Sequence, residues 1–241
     1  MQDDITQYAN YFERQIEDVK RLKLRGPASP EQCWELPLYR KILYVSMIDT
    51  LSKAAFPAMK TGHHKRVTHR KRVTQFIDEL SGWQDKDRVS VPQLLLRLNK
   101  AGQTSGSLYR KMQSCLDSWV DGDIKRLSDD PLLQNVLALA HTEEEKTAVR
   151  AARCAGLFYT YRNALVHEFR KPGYGMDGLS DNETTPYYVS MSSGGQTSWD
   201  LVFPNPFLED LCRKCLSGLV NKLKAEQRNP YESYEFGSLW S

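Results

Sequence analysis

Apolar positions along this chain recur mostly at steps of three and four, the spacing of one face of an α-helix. Ile5, Tyr8, Phe12, Ile16, Val19 and Leu22 keep that rhythm with charges between them and predict an amphipathic helix over 3–24. Gly26-Pro27 and Pro30 end it. Leu38, Ile42, Val45, Ile48, Leu51 and Ala55 predict a second helix over 38–55, closed by Pro57. Val73, Phe76, Ile77 and Leu80 mark a short third one. Ser90-Val91-Pro92 opens a fourth, because proline is tolerated in a first turn. Leu108, Met112, Cys115, Leu116 and Trp119 give another, and residues 131–140 a short apolar one. Thr142-Glu143-Glu144-Glu145 reads as a capping box, its threonine accepting from a free amide while Glu145 reaches back. It predicts one long helix from 143 to 169, whose positive end also welcomes three acids.

Beyond Phe169 the rhythm changes. Pro172, Gly173, Gly175 and Gly178 stop the helix. Tyr187–Met191 and Ser198–Phe203 flank Ser192–Thr197 and predict a β-hairpin, its loop somewhat long for a tight turn. Pro204 and Pro206 lead into a last helix over 207–226, with Leu208, Leu211, Cys212, Cys215, Leu219 and Leu223 along one side. The tail, 229–241, carries exposed-type aromatics and reads as loosely packed. There is no repeat and no low-complexity segment. The expected fold class is all-α, a single helical domain over 1–241 with an inserted loop and β-hairpin at 171–206.

Composition narrows the class. At 241 residues, 40% hydrophobic and 26% charged, the chain can bury a sizeable core without staples. Five cysteines, an odd number without framework spacing, read as reduced thiols. The N-terminus lacks a basic-then-apolar leader, and no apolar run approaches the roughly 20 residues of a membrane-spanning helix. The expectation is a cytoplasmic protein with no membrane partner.

Net charge is only +3, so any nucleic-acid reading rests on where the charge lies. Between 60 and 72 there are six lysines and arginines and no acid. Lys65, Arg66, Arg70, Lys71 and Arg72, together with Arg170, are the candidates for tracking RNA phosphates. The plainer reading is a solvated charged loop. His63, His64 and His69 have no cysteine or acid nearby to complete a ligand set, so no metal is expected. Cys212-Arg213-Lys214-Cys215 is a single pair on an apolar stripe and reads as core packing. His167-Glu168 begins like a zinc-protease motif, but Lys171 stands where the second histidine belongs.

The stretch that carries candidate chemistry is 157–170. Projected at about 100° per residue, Val149, Arg153, Gly156, Thr160, Asn163, His167 and Arg170 form a small-and-polar stripe. Opposite lie Ala151, Cys154, Phe158, Tyr161, Leu165 and Phe169, an expected core face. Asn163 and His167 are four apart and share a face, whereas Arg162 sits about 140° round from His167. Breaking an RNA strand needs proton transfer, which histidine performs near neutrality. It also needs charge stabilised on the phosphorane, which a guanidinium supplies, and an amide that orients. The plainer reading is a polar edge on a core helix.

Tyr161-Arg162-Asn163-Ala164-Leu165-Val166-His167 resembles the Arg-x4-6-His motif of the HEPN superfamily, in the form with asparagine directly after the arginine. The resemblance implies a HEPN-type helical bundle acting as a homodimer, its two motif histidines in a shared cleft. It implies a metal-independent endoribonuclease without cofactor, serving as a toxin or antiphage (antiviral-defence) effector or in RNA processing. Carried over, Arg162, Asn163 and His167 are the catalytic candidates. The match itself covers about six residues, and the hairpin lies outside the shared pattern. The family also suggests Asp49, an isolated acid in an apolar helix, as the group orienting Arg162, since buried charges need pairing. The other reading puts Asp49 on a wet edge. Gly156 and Thr160 are small enough for a second copy to pack along the stripe about a two-fold axis. RNA is the expected partner, with an antitoxin or nucleotidyltransferase-type protein as a further one. The alternative is a non-catalytic HEPN-like module that binds nucleotides or RNA or docks to such a partner. A third reading is a plain helical interaction protein using the hairpin and tail.

Overall fold

The apolar stripe of the first helix is buried along its whole length. In the computed structural model α1 spans Gln2–Lys20, with Ile5, Tyr8, Phe12, Ile16 and Val19 inside. The structure describes residues 2–23, 30–57, 68–173, 183–193 and 196–234. α2 (Pro30–Ala55) begins eight residues before the expected start, at Pro30 rather than Leu38. Pro30 fits a first turn, and Pro37, inside the helix, is accommodated at the loss of one backbone bond. α3 (His69–Leu80) is capped by Thr68, whose hydroxyl accepts from the Lys71 amide at 3.3 Å. The end of the basic run is therefore a helical turn and not a loop. Lys60, His63, His64, Lys65 and Arg66 lie outside the described residues.

α4 (Val91–Lys100) opens under Ser90, which accepts from the Gln93 amide at 3.4 Å. α5 (Ser107–Asp117) follows, and α6 (Leu133–Leu137) is shorter than the expected 131–140. The capping box forms as read. Thr142 accepts from the Glu145 amide at 3.1 Å, and Glu145 accepts from the Thr142 amide at 3.2 Å.

The long helix expected over 143–169 is two: α7 (Glu143–Ala151) and α8 (Cys154–Glu168). Residues 88–90 run beside the break and take its backbone groups. Ser90 donates to the Ala152 carbonyl at 3.0 Å and Cys154 donates to the Arg88 carbonyl at 2.9 Å. Arg153 bridges Val89 in antiparallel fashion. The break resets the helical phase, so the polar stripe does not continue through Val149 and Arg153. Val149 is buried, and the Arg153 guanidinium pairs with Asp87 at 2.7 Å. Phe169, expected on the core face, is 64% exposed. It sits just past the helix in a left-handed conformation (φ 52°), which swings its side chain away.

The hairpin is β2 (Tyr187–Ser193) against β3 (Gln196–Val202), antiparallel, with Tyr187 opposite Val202 and Ser193 opposite Gln196. Four of the six expected loop residues are therefore strand, leaving residues 194–195, outside the described set, to connect them. β1 (Lys125–Arg126) adds a third strand in the order β1-β2-β3. Two residues carry no alternation, so sequence patterning could not find it. α9 (Asn205–Glu226) buries Leu208, Leu211, Cys212, Cys215, Leu219 and Leu223.

The chain groups into two compact units. Unit 1 holds Met1–Trp83, Leu165–Phe169 and Leu208–Ser241. Within it α2 packs on α1 and α3. The Cys212 thiol of α9 donates to the Tyr44 carbonyl at 3.3 Å, and Arg213 of α9 pairs with Glu13 of α1 at 2.7 Å. Residues 229–234 of the tail are docked rather than loose. Tyr234 and Tyr8 share a hydroxyl–hydroxyl hydrogen bond of 2.7 Å, and the Tyr231 and Tyr8 rings meet edge-on at 5.6 Å. Arg228 donates to the carbonyls of Ala54 and Ala55 at 2.7 and 2.8 Å, satisfying the open end of α2.

Unit 2 holds Gln84–Ala164 and Arg170–Phe207. Its core gathers Leu94, Leu95 and Leu98 of α4 with Leu108 and Met112 of α5, Val136 of α6 and Val149 of α7. Trp119 is wedged between Tyr188 and Trp199 of the sheet, at ring separations of 5.1 and 5.0 Å. α8 runs through both groups as one continuous helix. Cys115, Cys154, Cys212 and Cys215 are free thiols, the last three buried.

Candidate functional site

Along α8 burial follows the helical period. Cys154, Phe158, Tyr161 and Leu165 are buried, and the Phe158 and Tyr161 rings meet Phe203 edge-on at 5.6 and 4.8 Å. On the other side Gly156 and Asn163 are half-buried while Thr160 and His167 are exposed. The Thr160 hydroxyl turns back to the Gly156 carbonyl at 3.3 Å, which keeps that face small. Arg170, just past the helix, is exposed and directs one guanidinium nitrogen toward the Lys171 carbonyl at 3.4 Å. The small-and-polar stripe thus survives in shortened form, from Gly156 to Arg170.

Arg162 is on the inner flank, 5% exposed. Its Nη1 donates to Asn163 Oδ1 at 2.9 Å. That bond has a chemical consequence. A guanidinium has only donors, so the amide oxygen of Asn163 is the atom that meets Arg162, and its Nδ2 hydrogens are the donors left over. His167 follows one turn later on the same face, its Cβ about 5–6 Å from that of Asn163 by helix geometry. The face presents an amide donor and an imidazole side by side, backed by a buried cation. That combination suits an oxyanion.

Sequence reasoning paired Asp49 with Arg162. Within unit 1, Asp49 makes contacts with α3. Its Oδ1 accepts from His69 Nε2 at 2.5 Å and from Arg72 Nη2 at 3.4 Å. The Arg72 Nε donates to Ser52 Oγ at 3.2 Å, and Ser52 Oγ donates to the Asp49 carbonyl at 2.6 Å. Arg72 is thereby turned inward, while Arg70 and Lys71 on the same helical turn are exposed. Twenty residues separate Asp49 from His69, and no local spacing signals their meeting. Lys65 and Arg66, the other proposed phosphate contacts, lie outside the described residues.

Two further features escaped the sequence. In unit 2 the carboxyl of Asp130, 1% exposed, accepts from the Tyr188 hydroxyl and, at 3.2 Å, from the Val91 amide. Burial raises its pKa to about 7, against the lowering effect of the Tyr188 hydrogen bond. In unit 1 a groove of about 780 Å³ between α1 and α2 is lined by Tyr8, Tyr11, Arg14, Met47, Tyr231 and Tyr234 among others. Among the described residues no three or more His, Cys, Asp and Glu side chains gather in a metal-binding group, and no helix is long and apolar enough to cross a membrane.

No family model, curated protein or solved structure matches this chain.

Proposed function

We propose that the chain is a HEPN-like, metal-independent endoribonuclease that works as a homodimer through the exposed face of α8. The observation that supports it most is the Arg162–Asn163 hydrogen bond, which ties the Asn163 amide to a buried cation one turn before the exposed His167. His167 transfers a proton to or from the scissile phosphodiester. The Asn163 amide holds a phosphate oxygen, and Arg162 fixes that amide and supplies positive charge behind it. Gly156 and Thr160 let a second α8 approach, so each protomer contributes half of a cleft with two-fold symmetry. Reaction by the 2′-hydroxyl leaves a 2′,3′-cyclic phosphate and a 5′-hydroxyl. The biological setting that fits such an enzyme is toxin or antiphage defence, with an antitoxin or nucleotidyltransferase-type protein restraining it.

Incubation with RNA in EDTA tests the proposal. The parent protein is expected to cut and leave 5′-hydroxyl ends, and His167→Ala to lose on the order of 10²–10⁴-fold in rate. Equal cleavage by the two proteins would refute the role of His167. A second reading, a non-catalytic nucleotide-binding module, is favoured by the aromatic groove of unit 1, whose volume suits a small ligand. RNA left intact in EDTA beside saturable nucleotide binding would select it.

A further inference from the structure

The groove between α1 and α2, which lies wholly within unit 1, carries polar groups that the fold does not use. One part of its wall is fixed by the docked tail. The Tyr231 ring meets Tyr8 edge-on at 5.6 Å, and the Tyr8 and Tyr234 hydroxyls share a hydrogen bond of 2.7 Å. Tyr234 donates in turn to the Thr50 carbonyl at 3.4 Å, so these rings are held in place without a ligand. Further along α1, Tyr11 lines the groove and is 49% exposed, a large ring left in water. The volume, about 780 Å³, is that of a small-molecule site.

Aromatic walls accept either a cation or a flat ring. The charges decide between the two. Arg14 is the one charged side chain among the described residues that line the groove, and no acid stands there to receive a cation. Arg14 makes no ion pair or hydrogen bond among the described residues. The neighbouring acids Glu13 and Glu17 turn instead to Arg213 of α9, at 2.7 and 2.5 Å. Gln7, Asn10 and Gln15 line the same wall, and their side-chain amides have no hydrogen-bond partner among the described residues. An amide offers two donors and an acceptor, which suits the edge of a nitrogen heterocycle. A lone guanidinium suits a single phosphate. A nucleic-acid strand would need further cations along its backbone, and the lining holds none.

We propose that the groove binds a free nucleoside monophosphate, its base against Tyr11 and the α1 amides and its phosphate on Arg14. The inference rests on the nucleotide-binding reading of this groove, to which it adds the ligand class and the contacts. It does not depend on cleavage at α8.

The test is isothermal titration calorimetry of the full chain with the four ribonucleoside monophosphates, each beside its nucleoside. Tetramethylammonium and a single-stranded RNA oligonucleotide are titrated as the competing chemistries. At least one monophosphate is expected to bind once per chain, about tenfold or more tighter than its nucleoside. Arg14→Gln is expected to erase that preference and to keep nucleoside binding within about twofold of the parent. Tyr11→Ala is expected to weaken nucleotide and nucleoside alike, by about tenfold. Both side chains are exposed, so both variants are expected to melt with the parent. No saturable binding by any monophosphate overturns the inference and the nucleotide-binding reading together. Binding of tetramethylammonium or of the oligonucleotide in their place overturns the inference. So does parent-like nucleotide binding by either variant, which would leave the broader nucleotide-binding reading standing. RNA cleavage in EDTA by the same preparation decides the ribonuclease reading separately.

Discussion

Two carboxylates, one in each unit, meet their partners in opposite ways. Asp130 is 1% exposed, and its oxygens face neutral donors, a tyrosine hydroxyl and a backbone amide. Asp49 has a side chain 16% exposed, and it faces an imidazole and a guanidinium. In the first case the loss of water outweighs the hydrogen bonds and the pull of nearby Arg88, so the carboxyl holds its proton up to about pH 7. In the second, His69 and Arg72 bracket a carboxylate that keeps part of its surface in water. An acid of the first kind welds a fold together: Asp130 ties the start of α4 to β2. An acid of the second kind can tune a neighbour. The group with the raised pKa is thus a structural one here.

The largest expected difference is in truncation. Asp130→Ala strands the Tyr188 hydroxyl and the Val91 amide in a dry interior, at roughly 1–3 kcal/mol for each unpaired group, about 4 kcal/mol together. Asp49→Ala releases His69 and Arg72, which retain access to water, and the loss of those contacts is expected to cost about 1 kcal/mol or less. Urea unfolding of both variants at neutral pH measures the pair. Equal losses would break the distinction.

A smaller effect, of about 3 kcal/mol, separates them by pH. The folded protein keeps the Asp130 proton up to about pH 7, while an unfolded chain releases it near 3.8, the ordinary aspartate value. Between these values the folded state binds more protons. The stabilisation from this group is therefore complete below about pH 4 and fades as pH rises through 7. Asp130→Asn cannot titrate, so the stability gap between parent and variant should shift by about 3 kcal/mol in the parent's disfavour from pH 5 to pH 8. A gap independent of pH would show that Asp130 is already ionised in the fold.

Much of the helical frame could be read from spacing, because burial in helices repeats every three to four residues and the chain obeys that rule. The stripe Ile5–Val19 and the α9 stripe Leu208–Leu223 are buried as read. The capping box at Thr142 formed. What escaped was decided by distant backbone. The break between α7 and α8 is imposed by residues 88–90, which claim the amide of Cys154 and the carbonyl of Ala152. The docking of residues 229–234 depends on Tyr8, more than 200 positions away. At the candidate site, the shared face of Asn163 and His167 follows from helix geometry alone and was visible. The 2.5 Å contact between His69 and Asp49 joins separate helices, so no motif could contain it.

The smallest effect concerns the cations around Asp49. Sequence alone grouped Arg70, Lys71 and Arg72 as equivalent phosphate contacts. The structure turns Arg72 toward Asp49 and Ser52 and leaves Lys71 exposed. An exposed lysine that neutralises one phosphate of a single strand contributes about 0.7 to the slope of log affinity against log salt. Lys71→Ala should flatten the slope of RNA binding by about that amount and leave stability within about 0.5 kcal/mol of the parent. Arg72→Ala should do the reverse, lowering stability slightly because Asp49 loses a partner while the salt slope stays near the parent's. Anisotropy titrations over a tenfold range of sodium chloride separate the two. If Arg72→Ala flattens the slope as much as Lys71→Ala does, Arg72 is a phosphate contact after all.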